Sequence, residues 1–371
     1  MGGATLGRNV RAWHRVVVAV LVGLLAAADA TLAHGPALAQ EGGAEQGGAS
    51  PEASRTTRRP RRRARGGSRV DRVIVHEGRA MQRFGRGPEG SAAYAQALDT
   101  IRTAVGDRAT LYSIIVPTAQ EFYSPEPPPP GRTAERPNIL ATYALLHPDI
   151  RRVDAHAVLA QHTEENLYFR TDVHWTGLAG YYAYCVFCEA AGLEPVPLEG
   201  LERRVVNPSW IGSLQRTTGD TTLVPDVVEI LIPPVEVELT AWERSGEHHS
   251  APLFRPRATG YVVFLGGDRP IMRGRSSTHS GRRVILVKNS YGNAFAVHLV
   301  SHYEEVVFID YRSFRGSLLD VLAESELPTD LLFMNGSLTS NATEHCHMIQ
   351  SLLQRRRSMP PPRWRSAAWR R

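Results

Sequence analysis

Short apolar runs alternate with helical periodicity along most of the chain. Val70 to Val75 is a β-branched run, and from Pro88 to Val105 the residues Tyr94, Leu98, Ile101 and Val105 recur at helical spacing. Leu111 to Val116 reads as a buried strand closed by Pro117, and the Pro-rich stretch Pro125 to Pro137 as a surface loop. His147 to Leu159 is expected to be helical and Leu167 to Thr171 a strand. Thr176 is placed to cap a helix from Gly177 to Ala191, with Gly192 as its stop. From Arg204 to Leu239 short β-rich runs are broken by Pro and Gly, the pattern of an insertion. Tyr261–Leu265, Val284–Val287, Val306–Ile309 and Leu331–Met334 follow as buried strands, with a helical stretch from Ala294 to Val300. Strands of four to six apolar residues between helices predict an α/β fold, a mainly parallel sheet covered on both faces with a β-rich insertion.

Charge divides the chain further. Of 43 basic and 37 acidic residues, 18 and 4 lie outside residues 70–354, which leaves the interior 25 against 33, a net of −8. A nucleic-acid-binding domain carries its positive charge on a folded surface, so this partition argues against one. The N-terminus has Arg8, Arg11 and Arg15, an apolar run from Val16 to Ala28 and Ala37-Leu38-Ala39 before Gln40. These are the parts of an export signal, or of a signal anchor, over residues 1–39. Residues 40–69 hold eight Arg among Gly, Ala, Ser and Pro and read as a disordered tether. Residues 355–371, with seven Arg, Trp364 and Trp369, read as a basic tail suited to an anionic membrane surface. The 285 residues between, 70–354, form the folded domain, expected outside the cytoplasm.

Three cysteines cannot build a disulfide scaffold. Cys185 and Cys188 fall inside a predicted helix, two turns from its start, which points to core packing rather than redox chemistry. The histidines supply no zinc-ligand spacing, so no zinc site is expected.

In a parallel sheet, chemistry sits where strand carboxyl ends open into loops. Val284 to Lys288 runs into Asn289-Ser290-Tyr291-Gly292-Asn293 and then a helix, presenting Ser290 where backbone N–H groups gather. Asp172 and His174, two apart in an expected extended segment, face one side and suit an orienting carboxylate and a base. Alone, each segment reads more often as a cap, a tight turn or packing.

Together they carry a resemblance. Tyr168 to Thr176, Gly180 to Tyr184 and Lys288 to Phe295 resemble the paired signatures of the DHHW protein family, related to AlgX/AlgJ-type SGNH-hydrolase-like proteins of polysaccharide O-acetylation. Ile115–Tyr123, Gly212–Leu214, Leu265–Asp268 and His302–Val306 also fit, so the resemblance spans about Val70 to Asn341. The family commonly has His where Val173 stands and Asp where Asn289 stands. The resemblance implies an SGNH-hydrolase-like fold with Ser290 as nucleophile, His174 as base and Asp172 as its orienter. Asn335, at a predicted strand end, would be an oxyanion donor as in SGNH enzymes. The implied reaction is acyl transfer, of acetyl to or from a sugar hydroxyl of a cell-surface polysaccharide, with a membrane-bound protein as acyl donor. It needs no metal or organic cofactor, and it leaves transferase and esterase both open. A non-catalytic glycan-binding or scaffolding envelope protein is the alternative.

Overall fold

The computed structural model describes residues 72–354 apart from Arg86 and the Pro88 side chain, all within the unit Ala64–Arg371. The expected export signal, tether and basic tail lie outside the described residues.

Twelve strands are present among the described residues. They are β1 (Val73–His76), β2 (Arg79–Gln82), β3 (Thr110–Val116), β4 (Arg151–Val153), β5 (Glu202–Trp210) and β6 (Asp226–Ile232), then β7 (Val237–Trp242), β8 (His248–Ala251), β9 (Ile271–Ser276), β10 (Arg283–Lys288), β11 (Glu305–Asp310) and β12 (Thr329–Gly336). Eight of them form one sheet in the order β4-β3-β12-β10-β11-β9-β7-β8. The pairs from β4 to β11 are parallel, and β9, β7 and β8 extend the sheet antiparallel. β1 with β2, and β5 with β6, make separate two-stranded ribbons.

Alternation along the parallel strands divides the core into two layers. Val284 and Leu286 of β10 join Phe308 and Leu332 under the Gly177–Ala191 and Gly292–Leu299 helices. Ile285 and Val287 join Leu331 and Phe333 under the Pro88–Val105 and Thr343–Gln350 helices. Both faces of β10 are therefore dry, which explains its unbroken apolar run. β10 lies between β11 and β12. Chain leaving β10 returns beside it as β11 and then crosses over to β12, so the carboxyl end of β10 is a topological switch point.

The Pro88–Val105 and Gly177–Ala191 helices occupy the residues their patterns predict. Thr176 accepts the Ala179 N–H at 3.4 Å, and Gly192 ends the second helix in the left-handed region, φ +67°.

Other expectations fail. Tyr261–Leu265 is not a strand but opens with a 3₁₀ turn, Tyr261–Val263, and Leu265, Gly266 and Gly267, with φ of +58°, +70° and +92°, turn the chain away from the sheet. His147–Leu159 is not one helix. It holds β4 and a short Ala155–Leu159 helix whose entry is fixed by Asp154 accepting the Ala157 N–H at 3.1 Å. A helix at Glu135–Leu145 begins inside the stretch read as a Pro-rich loop. β9 has no apolar run because it carries Arg273 and Gly274, the former ion-paired to Glu324. Leu167–Thr171 contributes only a bridge, Tyr168 to Trp175.

Candidate active site

Asp172 and His174 sit at the tip of a loop closed by that bridge, where Phe169 N–H donates to His174 O at 3.2 Å and Thr176 N–H to Leu167 O at 2.9 Å. They meet by a local turn rather than by strand alternation: Asp172 Oδ1 accepts the His174 N–H at 3.1 Å, an Asx-turn. The loop is anchored from outside. Buried Asp226, at the start of β6, accepts the N–H groups of Arg170 (2.6 Å) and Thr171 (2.9 Å) and the Thr171 hydroxyl. Arg79 of β2 donates to Tyr168 O (2.7 Å) and Phe169 O (3.2 Å).

Ser290 lies just past β10, before the Gly292–Leu299 helix. Its turn is set by Asn289, whose Oδ1 accepts the Tyr291 N–H at 3.1 Å while Nδ2 donates to Thr339 Oγ1 at 2.9 Å. A Cβ on Gly292 would stand 2.6 Å from Lys288 Cβ, so only glycine lets the helix start fold back onto the strand end.

The structure brings three of the four predicted site residues together. His174 Nε2 is 2.8 Å from Ser290 Oγ, and His174 Nδ1 is 2.6 Å from Asp172 Oδ1. Asp172 Oδ2 accepts the Ser213 N–H at 2.8 Å. Burial opposes charge on Asp172, but the bonds from His174 and Ser213 overcome it and hold the carboxyl well below its ordinary range. Asp172 is therefore anionic, and the His174 side chain, 16% exposed, is open to solvent at one edge.

Asn335 does not join them. It is fully buried in β12, its amide nitrogen lies 3.4 Å from Tyr94 Oη of the Pro88–Val105 helix, and its carbonyl oxygen accepts no hydrogen bond from the described residues. Strand alternation gives the reason. The neighbouring Gly336 faces Tyr291, 3.3 Å from where its Cβ would lie, so Asn335 turns to the other side of the sheet.

Several supporting contacts are not legible from spacing, although Trp175, Gly212, Ser213, Asp268 and Lys288 lie in the strings that resemble the family. The Tyr261 ring stacks on the His174 imidazole, centroids 3.9 Å apart and planes 5° off parallel, and Tyr261 Oη donates to Ser290 O at 2.8 Å. Trp175 Nε1 donates to Tyr291 O at 2.8 Å, and Tyr291 Oη to Val173 O at 2.6 Å, which ties the two segments to each other. At Gly212 a Cβ would stand 2.4 Å from Asp172 Cβ, so the Ser213 N–H reaches the carboxylate only past a glycine. Lys288, the chain's single lysine, is buried 3.5 Å from Asp268, which also accepts from Asn293 Nδ2 (3.1 Å) and Arg312 (2.6 Å). Burial lowers the pKa of Lys288, while Asp268, opposed by burial, is held at about 2 by Lys288 and Arg312. This ion cluster fastens the loop after Tyr261 to the nucleophile helix. A periodicity reading that took 261–265 for a strand could not find it.

Cys188 and Cys346 are buried, and burial pushes their thiols up to about 12 and 11. Among the described residues no group of three or more His, Cys, Asp or Glu could hold a metal ion, and no helix is long and apolar enough to cross a membrane.

The model of the DHHW protein family matches residues 55–239, which include Asp172 and His174 but end before Ser290. Among solved structures, a DHHW family protein from Eubacterium siraeum aligns with TM-score 0.68 at 24% identity, over 76% of this chain and 98% of that one. Bacillus cereus PatB1 bearing a sulfonyl adduct aligns with TM-score 0.63 at 14% identity, over 76% and 100%. The O-acetyltransferase domain of Pseudomonas putida AlgJ aligns with TM-score 0.45 at 12% identity, over 75% and 98%. No curated protein matches the chain.

Proposed function

From the premise that the chain belongs to the DHHW protein family, we propose that it is an SGNH-hydrolase-like enzyme that transfers an acyl group, acetyl first among them, to or from a sugar hydroxyl of a cell-surface polysaccharide. The observation that carries this reading is the unbroken hydrogen-bonded series from Ser290 Oγ through His174 to Asp172, at 2.8 and 2.6 Å.

Asp172 receives the Nδ1–H and leaves Nε2 as acceptor, so the imidazole can take the Ser290 proton as Oγ attacks the ester carbonyl. The oxyanion donors must be backbone groups near Ser290. Around the turn, the N–H groups of Tyr291, Gly292 and Asn293 are already given to Asn289 Oδ1, Asn289 O and Ser290 O. The N–H of Ser290 itself is the one assigned here to the oxyanion. Protonated His174 then gives its proton to the departing alcohol, and the acyl-serine passes to a sugar hydroxyl or to water by the same steps reversed. Neither step calls on a metal or cofactor in this scheme.

The export-signal pattern at residues 1–39 supports an extracytoplasmic setting for this chemistry, and the reading includes Arg-rich flanks toward an anionic surface and a membrane protein as acyl source. PatB1 is described with a sulfonyl adduct, and sulfonyl and fluorophosphonate reagents both capture an activated serine. The test is labelling of the full chain with a fluorophosphonate, together with turnover of a chromogenic acetyl ester. Ser290→Ala should abolish labelling, and His174→Ala should slow it by about 10²-fold or more. Equal labelling of all three proteins would reject Ser290 and His174 as nucleophile and base.

A further inference from the structure

The stack between Tyr261 and His174 is not needed to complete the proton path. Tyr261 is 6% exposed and is held at three points: Oη donates to Ser290 O (2.8 Å), lies 3.2 Å from Tyr291 O, and accepts the Ala294 N–H (3.4 Å). Its ring thus takes its position from the nucleophile turn and offers its face to the base. The chain folds to permit this at some strain, with the non-glycine Leu265 at φ +58° two residues past the 3₁₀ turn.

We propose that Tyr261 is a positioning residue with two separable actions: its hydroxyl fixes the register of Ser290 against His174, and its ring face stabilises the imidazolium formed when His174 takes the proton. The inference rests on the reading of Ser290 and His174 as nucleophile and base.

An aromatic face carries negative electrostatic potential, and a cation within about 6 Å of the ring centroid is attracted to it. At 3.9 Å and near-parallel, His174 meets that condition. The other groups facing His174 do not duplicate it. Asp172 approaches in the ring plane through Nδ1, Ser290 in the plane through Nε2, and Tyr291 stands tilted at 5.5 Å and 55°. From the Ser213–Thr218 helix the Ser213 N–H reaches Asp172, not the ring. Asp268, the charged group acting on Tyr261, is compensated by Lys288 and Arg312.

Two isosteric replacements separate the actions. Tyr261→Phe removes the hydroxyl and keeps the negative ring face, whereas Tyr261→pentafluorophenylalanine has nearly the same shape and reverses that face. Fluorophosphonate labelling of the full chain is followed from pH 5 to 8. Both variants should label about tenfold more slowly on the plateau. The acid limb should stay in place for the Phe variant and move at least half a pH unit toward lower pH for the fluorinated one, since an imidazolium no longer stabilised gives up its proton more readily. Coincident acid limbs overturn the ring-face action, and undiminished plateau rates overturn the register action. Titration of the His174 ring signals by NMR in the Ser290→Ala background measures the same displacement without activity. If wild type does not label at all, the functional reading fails while the NMR experiment still decides the ring-face claim.

Discussion

Replacing Asp172 by Asn tests the site most severely, because the carboxylate accepts three bonds and an amide cannot. Oδ1 takes the His174 Nδ1–H (2.6 Å) and the His174 N–H (3.1 Å), and Oδ2 takes the Ser213 N–H (2.8 Å). If the Asn carbonyl keeps the first position, its NH₂ is driven against the Ser213 N–H, donor against donor. If the amide turns over, NH₂ faces His174 Nδ1 and selects the tautomer with the proton on Nε2, which points a donor at Ser290 and leaves no base. Either way a charge-assisted bond is lost in a buried site, at a cost of about 1.5–3 kcal/mol. The reactive tautomer is disfavoured as well, which should slow labelling by about 10²–10⁴-fold. The pH dependence has a definite sign. The folded pKa of Asp172 lies below its ordinary 3.8, so its contribution to stability is complete above about pH 4 and is lost only as pH falls through the folded value. The stability difference between wild type and Asp172→Asn should therefore shrink in strong acid, as the carboxylate is protonated. Fluorophosphonate labelling of the variant within threefold of wild type, with its fold intact, would refute the assignment of Asp172 as orienter.

Gly212→Ala places a methyl group 2.4 Å from Asp172 Cβ and 2.7 Å from Thr171 O, so the loop must yield; stability should fall by about 1–3 kcal/mol in urea titration and labelling by at least tenfold. Asn289→Asp restores the residue common in the family but removes the donor to Thr339, whose own hydroxyl is given to Gly336 O at 2.7 Å. Labelling should stay within a few-fold and stability drop by about 1 kcal/mol, measured by thermal melting. Glu135 is buried, accepting from Thr118 N–H (2.9 Å), the Thr118 hydroxyl (2.6 Å) and the Ser337 hydroxyl, and burial raises it from 4.5 to about 7. With the folded value raised, the stability it contributes is full below pH 4.5 and lost as pH rises to 7, by about 3 kcal/mol; Glu135→Gln should flatten that slope in denaturation curves taken across this range.

Legibility of the fold follows how local its causes are. The strands at 111–116, 284–287, 306–309 and 331–334 declare themselves because both faces are buried and every position except Ser113 is apolar. The Gly177–Ala191 helix declares its cap, its stop and its packing within its own residues. β9 and β4 do not, since each becomes a strand only by pairing with a neighbour that supplies half the ladder. Tyr261–Leu265 shows the converse failure. All its apolar residues but Val262 are buried, as their composition suggests, yet outside the sheet, with Tyr261 against the nucleophile turn. At the site, Asp172, His174 and Ser290 stand in short recognisable strings, and Ser213 stands in one without its backbone N–H role being readable there, whereas Tyr261 and Asp226 act through a ring face and a distant carboxylate that leave no spacing to read.

Those unsigned contacts decide how well the site is held. The two reactive segments are 116 residues apart, and a strand end with a turn beside it would allow them several relative placements. Trp175 bonded to Tyr291 O and Tyr291 bonded to Val173 O form a reciprocal pair across the gap, and Tyr261 bonds the nucleophile's carbonyl while covering the base. A shift of either segment by about 1 Å would stretch several of these bonds at once, each worth about 1 kcal/mol, so the distance from His174 to Ser290 is set by neutral contacts rather than by the proton-transfer bond itself. This arrangement lets the Ser290–His174 bond be broken and remade during reaction while the frame around it stays in place.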